Sequence, residues 1–184
     1  MSRDPIRATY DDWRDFPLHL WRWPNFSPAE LACNGTGALR IDPESLDKLQ
    51  ALRDRMGAPL VINSAYRSPL HNRRVGGAPA SQHLQAKAFD IRLDGHDPHE
   101  LEAAAREVGF TSFGRYHGPR YPAPFLHVDD RDAPAQWGNP WPRGEDDPQP
   151  AAPPAPDAAP PAPPHEVHGA SVGKVSNPLK RKRA

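Results

Sequence analysis

Three residues of this chain have the types and the order from which a metal centre can be built: His83, Asp90 and His127. A catalytic zinc site takes about three protein ligands from histidine and carboxylate and leaves a further position for water. His83 stands in Ser81-Gln82-His83, read as a loop entering a strand. Asp90 falls within residues 88–93, where Phe89, Ile91 and Leu93 alternate with Asp90 and Arg92, so the carboxylate occupies a polar face. His127 falls within residues 125–129, where Leu126 and Val128 share one face and His127 and Asp129 share the other. Paired strands run about 4.8 Å apart, so side chains from two strands and an entering loop can meet at one ion. Asp129 lies two residues from His127, about 6.6–7 Å along the strand. That spacing suits contact with a metal-bound histidine, or proton transfer, better than ligation. The chain has nine histidines, and a triple of this kind also arises from surface histidines and a capping aspartate. Spacing alone leaves both readings open.

The elements that must position these residues are signalled locally. Ser27-Pro28-Ala29-Glu30 is a capping box with proline at the first helical position, and Phe26 and Leu31 can form the accompanying hydrophobic staple. Asp42 can cap a helix that opens at Pro43, carries Leu46, Leu49, Leu52 and Met56 at helical spacing, and stops at Gly57. Ser68-Pro69 opens a short helix ended by Gly76-Gly77. Asp97-Pro98 opens another, with Leu101, Ala104, Ala105 and Val108 on one face. Strands are expected at residues 59–64, 88–93 and 125–129. Helices mixed with short strands predict an α+β fold, a small antiparallel sheet with helices packed on one face. The open face then carries Asp90, His127 and Asp129.

Composition limits the function classes. Lys and Arg number 23, as do Asp and Glu, and this balance argues against a basic nucleic-acid binder. A single cysteine, Cys33, excludes a disulfide framework and a cysteine-rich zinc finger. It reads as a small buried residue, and the Gly76-Gly77 pair as a turn rather than a phosphate loop. No apolar run is long enough for a transmembrane helix. The opening MSRDPIRATYDDWRDF has no apolar stretch after its basic residues, so no secretory signal is expected. Residues 151–164 consist of seven Pro, six Ala and one Asp, a composition that forms an extended spacer rather than a core. A domain is therefore expected over residues 8–143, and a disordered Pro/Ala-rich tail with a basic end over residues 144–184. The five tryptophans, Trp13, Trp21, Trp23, Trp137 and Trp141, sit near the two ends of that domain. They are expected to pack those ends onto it.

The wording around the candidate ligands is more specific than their spacing. Tyr66-Arg67-Ser68-Pro69, His71-Asn72, Val75-Gly76-Gly77-Ala78, Ser81-Gln82-His83 and, seven residues beyond that histidine, Asp90 form an ordered series that ends at Phe125-Leu126-His127-Val128-Asp129. This series, over about residues 13–141, resembles the zinc D-alanyl-D-alanine carboxypeptidases and L-alanyl-D-glutamate endopeptidases that act on peptidoglycan, including phage lysins. The resemblance implies the fold shared with the Hedgehog signalling domain. It also implies Zn2+ held by His83, Asp90 and His127, and hydrolysis of amide bonds in peptidoglycan stem peptides. Arg67 would bind or polarise the substrate's carboxylate or scissile carbonyl. Ser81, and Tyr66 of the same motif as Arg67, would help hold the substrate. A monomer with no nucleic-acid partner is expected, cytoplasmic until released to act on the cell wall in the manner of a lysin.

Two departures bear on mechanism. The relatives usually carry glycine three residues after the first histidine, where this chain has Ala86. The methyl group is tolerated at negative φ and costs stability at positive φ. Many relatives also carry His, Glu or Asp two or three residues before the last zinc histidine, where this chain has Pro124 and Phe125. Neither accepts a proton. Asp129, on the metal face, is the first candidate for proton transfer, and His117, in the stretch 114–118 read as a loop, is the second. The same departure supports a rival reading: a zinc-containing peptidoglycan- or protein-binding module of this fold without catalysis. A further rival is an interaction protein that recruits its partner through the Pro-rich, basic tail.

Overall fold

A computed structural model of the protein describes residues 5–142. The Pro/Ala-rich and basic stretch expected as a tail lies outside the described residues. In chain order the regular elements are β1 (Thr9–Tyr10), α1 (Pro28–Leu31), β2 (Leu39–Arg40), α2 (Pro43–Met56), β3 (Ile62–Ser64), α3 (Pro69–Arg74), β4 (Ala88–Arg92), α4 (Pro98–Glu107), β5 (Ser112–Tyr116), β6 (Phe125–Asp129) and β7 (Gln136–Gly138). Short 3-10 turns intervene, one of them at Gln82–Gln85.

All four helices begin at the expected caps. The side chains of Ser27, Asp42, Ser68 and Asp97 accept from the backbone N–H groups of Glu30, Ser45, His71 and Glu100. Each cap is followed by proline, whose missing N–H is no loss in the first turn. The core lies between one face of the sheet and the two longer helices. Leu46, Leu49 and Leu52 of α2 and Leu101, Ala104 and Ala105 of α4 pack with Phe89, Ile91, Phe113, Leu126 and Val128 of the strands.

The larger sheet has the order β3-β4-β6-β5-β7, and β1 and β2 form a separate pair. Neighbours in the large sheet are antiparallel except β5 and β7, which run parallel. The α+β class and the small, chiefly antiparallel sheet are as expected; the strand count is larger. Of the stretch 114–118, read as a loop, residues 114–116 belong to β5, an interior strand of the sheet. Gly114 and Arg115 weaken any hydrophobic pattern there, and the strand owes its place to pairing on both sides, with β6 and β7. Long-range pairing of this kind leaves little local signal.

Of the tryptophans, Trp23 and Trp141 are buried, and Trp13 and Trp21 pack partly against the core. Trp23 Nε1 donates to Asp47 at 2.7 Å and Trp141 Nε1 to Glu102 at 2.9 Å. Those four fasten the ends of the domain. Trp137 does something else, since it stands over the polar face of the sheet.

Candidate metal centre and cleft

The register between β4 and β6 sets Asp90 directly opposite His127. Alternation keeps both on the face away from the helices. On the other side of β4, the pairing with β3 shifts register between Ile62 and Ser64. An irregularity of this kind re-aims the strand end, and the chain turns from Ser64 across the sheet edge to Arg67. There the backbone N–H of Arg67 donates to the carbonyl of His83 at 3.0 Å, and His83 Nδ1 lies 2.6 Å from the carbonyl of Ala65. These two bonds lock the 3-10 turn bearing His83 to the segment bearing Arg67.

The result is a tight triangle of donor atoms. His83 Nε2 is 3.3 Å from Asp90 Oδ1 and 3.3 Å from His127 Nδ1, and His127 Nδ1 is 2.8 Å from Asp90 Oδ1. Ligands about 2.0–2.1 Å from a tetrahedral ion lie about 3.3 Å from one another, so the donor set fits zinc in both chemistry and size. The outer nitrogens fix which atoms point inward. His83 Nδ1–H donates to Ala65, leaving Nε2 its lone pair. His127 Nε2 is 3.0 Å from Asp129 Oδ2, so its Nε2–H donates to the carboxylate and Nδ1 keeps its lone pair for the centre. Among the described residues these three side chains form the one cluster able to hold a metal ion.

Electrostatics favour a cation at this point. Burial alone pushes the Asp90 carboxyl up, but the charge and hydrogen bonds of His83 and His127 outweigh it, and the group lies far below the usual carboxylate range. Burial pulls His127 down, while hydrogen bonds to Asp129 and Asp90 more than reverse this and raise it. A divalent ion held by these residues would take over the role of the proton in that balance.

The cluster floors a cavity of about 640 Å³ whose lining includes Arg67, Ser81, Tyr116, Arg131 and Trp137. Arg67 is held there by Ser64, which accepts from Nε at 2.8 Å, and by Asp90 Oδ2, which accepts from Nη2 at 2.5 Å. The same aspartate thus turns one oxygen to the histidines and the other to the arginine. Ser81 lines the cleft at the start of the His83 turn.

Three expected roles meet a different geometry. Asp129 is fully buried, and its oxygens are taken by His127 and by Arg131 Nε and Nη2. Burial raises its carboxyl and these bonds bring it down to about 2. It therefore stands behind His127 rather than in the cleft, and direct proton transfer to a substrate does not follow from its position. His117 continues the parity of Phe113 and Arg115, the residues of β5 that face α4, and tilts against Trp141 at 5.0 Å while Nε2 meets the carbonyl of Asn139. It is not among the groups that line the cleft with the ligands. Tyr66 is also turned away: it is buried with Cys33, Ala38 and Ala86. Successive residues of an extended segment point to opposite sides, so Arg67 faces the cleft and Tyr66 the interior.

Sequence reasoning also missed part of the site. Gly114 lies opposite His127, and a Cβ there would stand 2.4 Å from Trp137 Nε1. The glycine admits the indole, which comes within 5.1 Å of the His127 ring and donates from Nε1 to the Tyr116 hydroxyl at 2.8 Å. Arg131 stacks over the same indole at 5.1 Å. The signal for this wall was the Gly114-x-Tyr116 alternation, legible only once the segment is known to be a strand.

Comparison with known proteins gives a family match across this region. The profile of the Peptidase M15 family matches residues 24–129, a span that holds all three donor residues. A stretch of 76 residues is 41% identical to the zinc D-Ala-D-Ala carboxypeptidase of Streptomyces albus G. That stretch covers 41% of this chain and 29% of the relative, so the chain spans under a third of the curated protein it matches.

Proposed function

The chain belongs to the Peptidase M15 family, and from that premise we propose that it is a zinc-dependent peptidase hydrolysing amide bonds in peptidoglycan stem peptides, at or near a D-alanyl terminus. The observation that carries this reading is the triangle of His83 Nε2, Asp90 Oδ1 and His127 Nδ1, sized for a tetrahedral ion, at the floor of an open cleft. The zinc name and the substrate of the Streptomyces relative support the choice of ion and of substrate class.

His83, Asp90 and His127 would hold the zinc, which would supply Lewis acidity to a water and to the scissile carbonyl near neutral pH. The residues of the chain do the rest. His83 and His127 are held as single tautomers by Ala65 and Asp129, so their inward nitrogens need no reorganisation. Asp129, itself braced by Arg131, is a positioning residue for His127. Arg67 has two N–H groups committed to Ser64 and Asp90, which hold its planar fork at the cleft for a substrate carboxylate or carbonyl oxygen. Ser81 adds a hydroxyl at the same rim.

The test is digestion of purified peptidoglycan by the recombinant chain, with mass spectrometry of the products, before and after chelation and after zinc is restored. Zinc-dependent release of D-alanine indicates a carboxypeptidase, and release of longer fragments an endopeptidase. One observation favours a second reading: Pro124 and Phe125 bring no proton-transfer group to the cleft. A binding module of the same fold would retain zinc and bind muropeptides without cutting them, and such an outcome would replace the peptidase reading.

A further inference from the structure

Amide hydrolysis requires a proton for the leaving nitrogen, and the cleft restricts where it can come from. Among the described residues that line it, each imidazole and carboxylate belongs to the His83, Asp90, His127 triangle. Arg67 and Arg131 hold their protons too firmly to give them up. Hydroxyls remain, on Ser81, Tyr116 and Tyr121. An aliphatic alcohol such as that of Ser81 is a far weaker acid than a phenol. Tyr121 lies on the connection between β5 and β6 rather than on a strand.

Tyr116 differs from both in being built into the sheet. Its register partner is Phe125, with the two rings stacked at 4.4 Å and 8° apart. It shares a face with Gly114, the partner of His127, and stands one alternation step further along. The cross-strand neighbour therefore carries a phenol beside Phe125, which brings no exchangeable proton of its own. The hydroxyl is also oriented. Trp137 Nε1 can only donate, so at 2.8 Å the Tyr116 oxygen accepts, and its own O–H proton is left for another partner. The indole bond stays in place when the oxygen becomes negative, with the Arg131 guanidinium over the same ring. Gly114 is what allows the indole to reach this position.

We propose that Tyr116 is a catalytic residue of this cleft, its hydroxyl donating the proton that the leaving nitrogen takes. The proposal rests on the peptidase reading above. Water oxygen forms the new bond to the acyl carbon, and the C–N bond breaks with its electron pair on nitrogen. Nitrogen takes the Tyr116 proton, and the phenolate recovers the proton given up by the attacking water.

The experiment compares the full chain with Tyr116→Phe on a stem peptide and on a thioester analogue with the same acyl group, since a thiolate leaves without a proton. Zinc affinity by chelator competition and the melting temperature are measured on the same samples. Tyr116→Phe is expected to lower kcat on the amide by about 10²-fold or more, to leave the thioester within a few-fold of wild type, and to bind zinc unchanged. Equal losses on both substrates would overturn the proton-donor role, since the hydroxyl would then act on a step common to both. Undiminished amide turnover would overturn it as well. A wild-type chain that loads zinc and cuts neither substrate would overturn the peptidase reading and this inference together.

Discussion

His83 and His127 present different ring nitrogens to one point, and each choice is made by what the other nitrogen touches. His83 relies on a backbone carbonyl, His127 on the buried carboxylate of Asp129. The two supports should respond differently to mutation. His83→Ala or His127→Ala removes a proposed ligand and is expected to abolish stoichiometric zinc, read by metal analysis after dialysis, with little change in circular dichroism. Asp129→Asn leaves the ligands in place but loosens the orientation and basicity of His127. Loss of such an outer partner typically costs about 10–100-fold in metal affinity, and chelator competition is expected to show a weakening of that order. An unchanged affinity would mean that Asp129 serves only to anchor Arg131. The three donor residues that the structure brings together were legible in the sequence from their types, strand parity and surrounding motif. Contact of Asp129 with His127 was legible too, as one of the two roles its spacing allowed; its exclusion from the cleft was not, because alternation gives the face of a residue but not whether a neighbour such as Arg131 closes over it.

At the scale of the elements, the turn after His83 shows a local rule broken beside the site. Ala86 adopts φ 59°, and among the described residues it is the one non-glycine with positive φ. Left-handed backbone costs an L-residue about 1–2 kcal/mol, while burying a methyl group returns about 0.8 kcal/mol. Ala86→Gly is thus expected to change stability by no more than about 1 kcal/mol. Ala86→Val, β-branched in a buried left-handed position, is expected to lower the melting temperature by many degrees. A second device holds α4 to the sheet and to the chain beyond β7. Glu102 is buried and accepts from Arg115, Arg106 and Trp141. Burial pushes its carboxyl up, and these partners outweigh it and lower it. A carboxyl lower in the folded than in the unfolded chain stabilises the fold above its unfolded value, about 4.3. That contribution is lost as pH falls from there through the folded value. Glu102→Gln is expected to cost about 1–3 kcal/mol near pH 7 and progressively less below pH 4, as followed by urea titration. A constant difference across that range would show that the charge is not what matters.

For the molecule as a whole, the described residues supply a main core with a smaller buried cluster beside it, the candidate metal site and the cleft. No described helix is long and apolar enough to cross a membrane. A chain ended after Arg143 is expected to melt within a few degrees of the full chain and to bind zinc equally well, because the core side chains all precede that point. A large drop in melting temperature would show that residues 144–184 pack on the domain.

By itself the sequence determined the helix starts and the candidate donor set. Helix starts are written in four or five adjacent residues, as at Ser27, Asp42, Ser68 and Asp97, and the ligands are marked by motifs and by strand alternation, which need no knowledge of distant partners. Tertiary structure alone decided what depends on register between segments far apart in the chain. Pairing of β5 with both β6 and β7 turned an apparent loop into an interior strand, brought Gly114 opposite His127, and let Trp137 settle over it. The same pairing sent His117 to the helix side and Tyr116 to the cleft. Shifting a strand by one residue exchanges its two faces, so no local pattern could have made that choice.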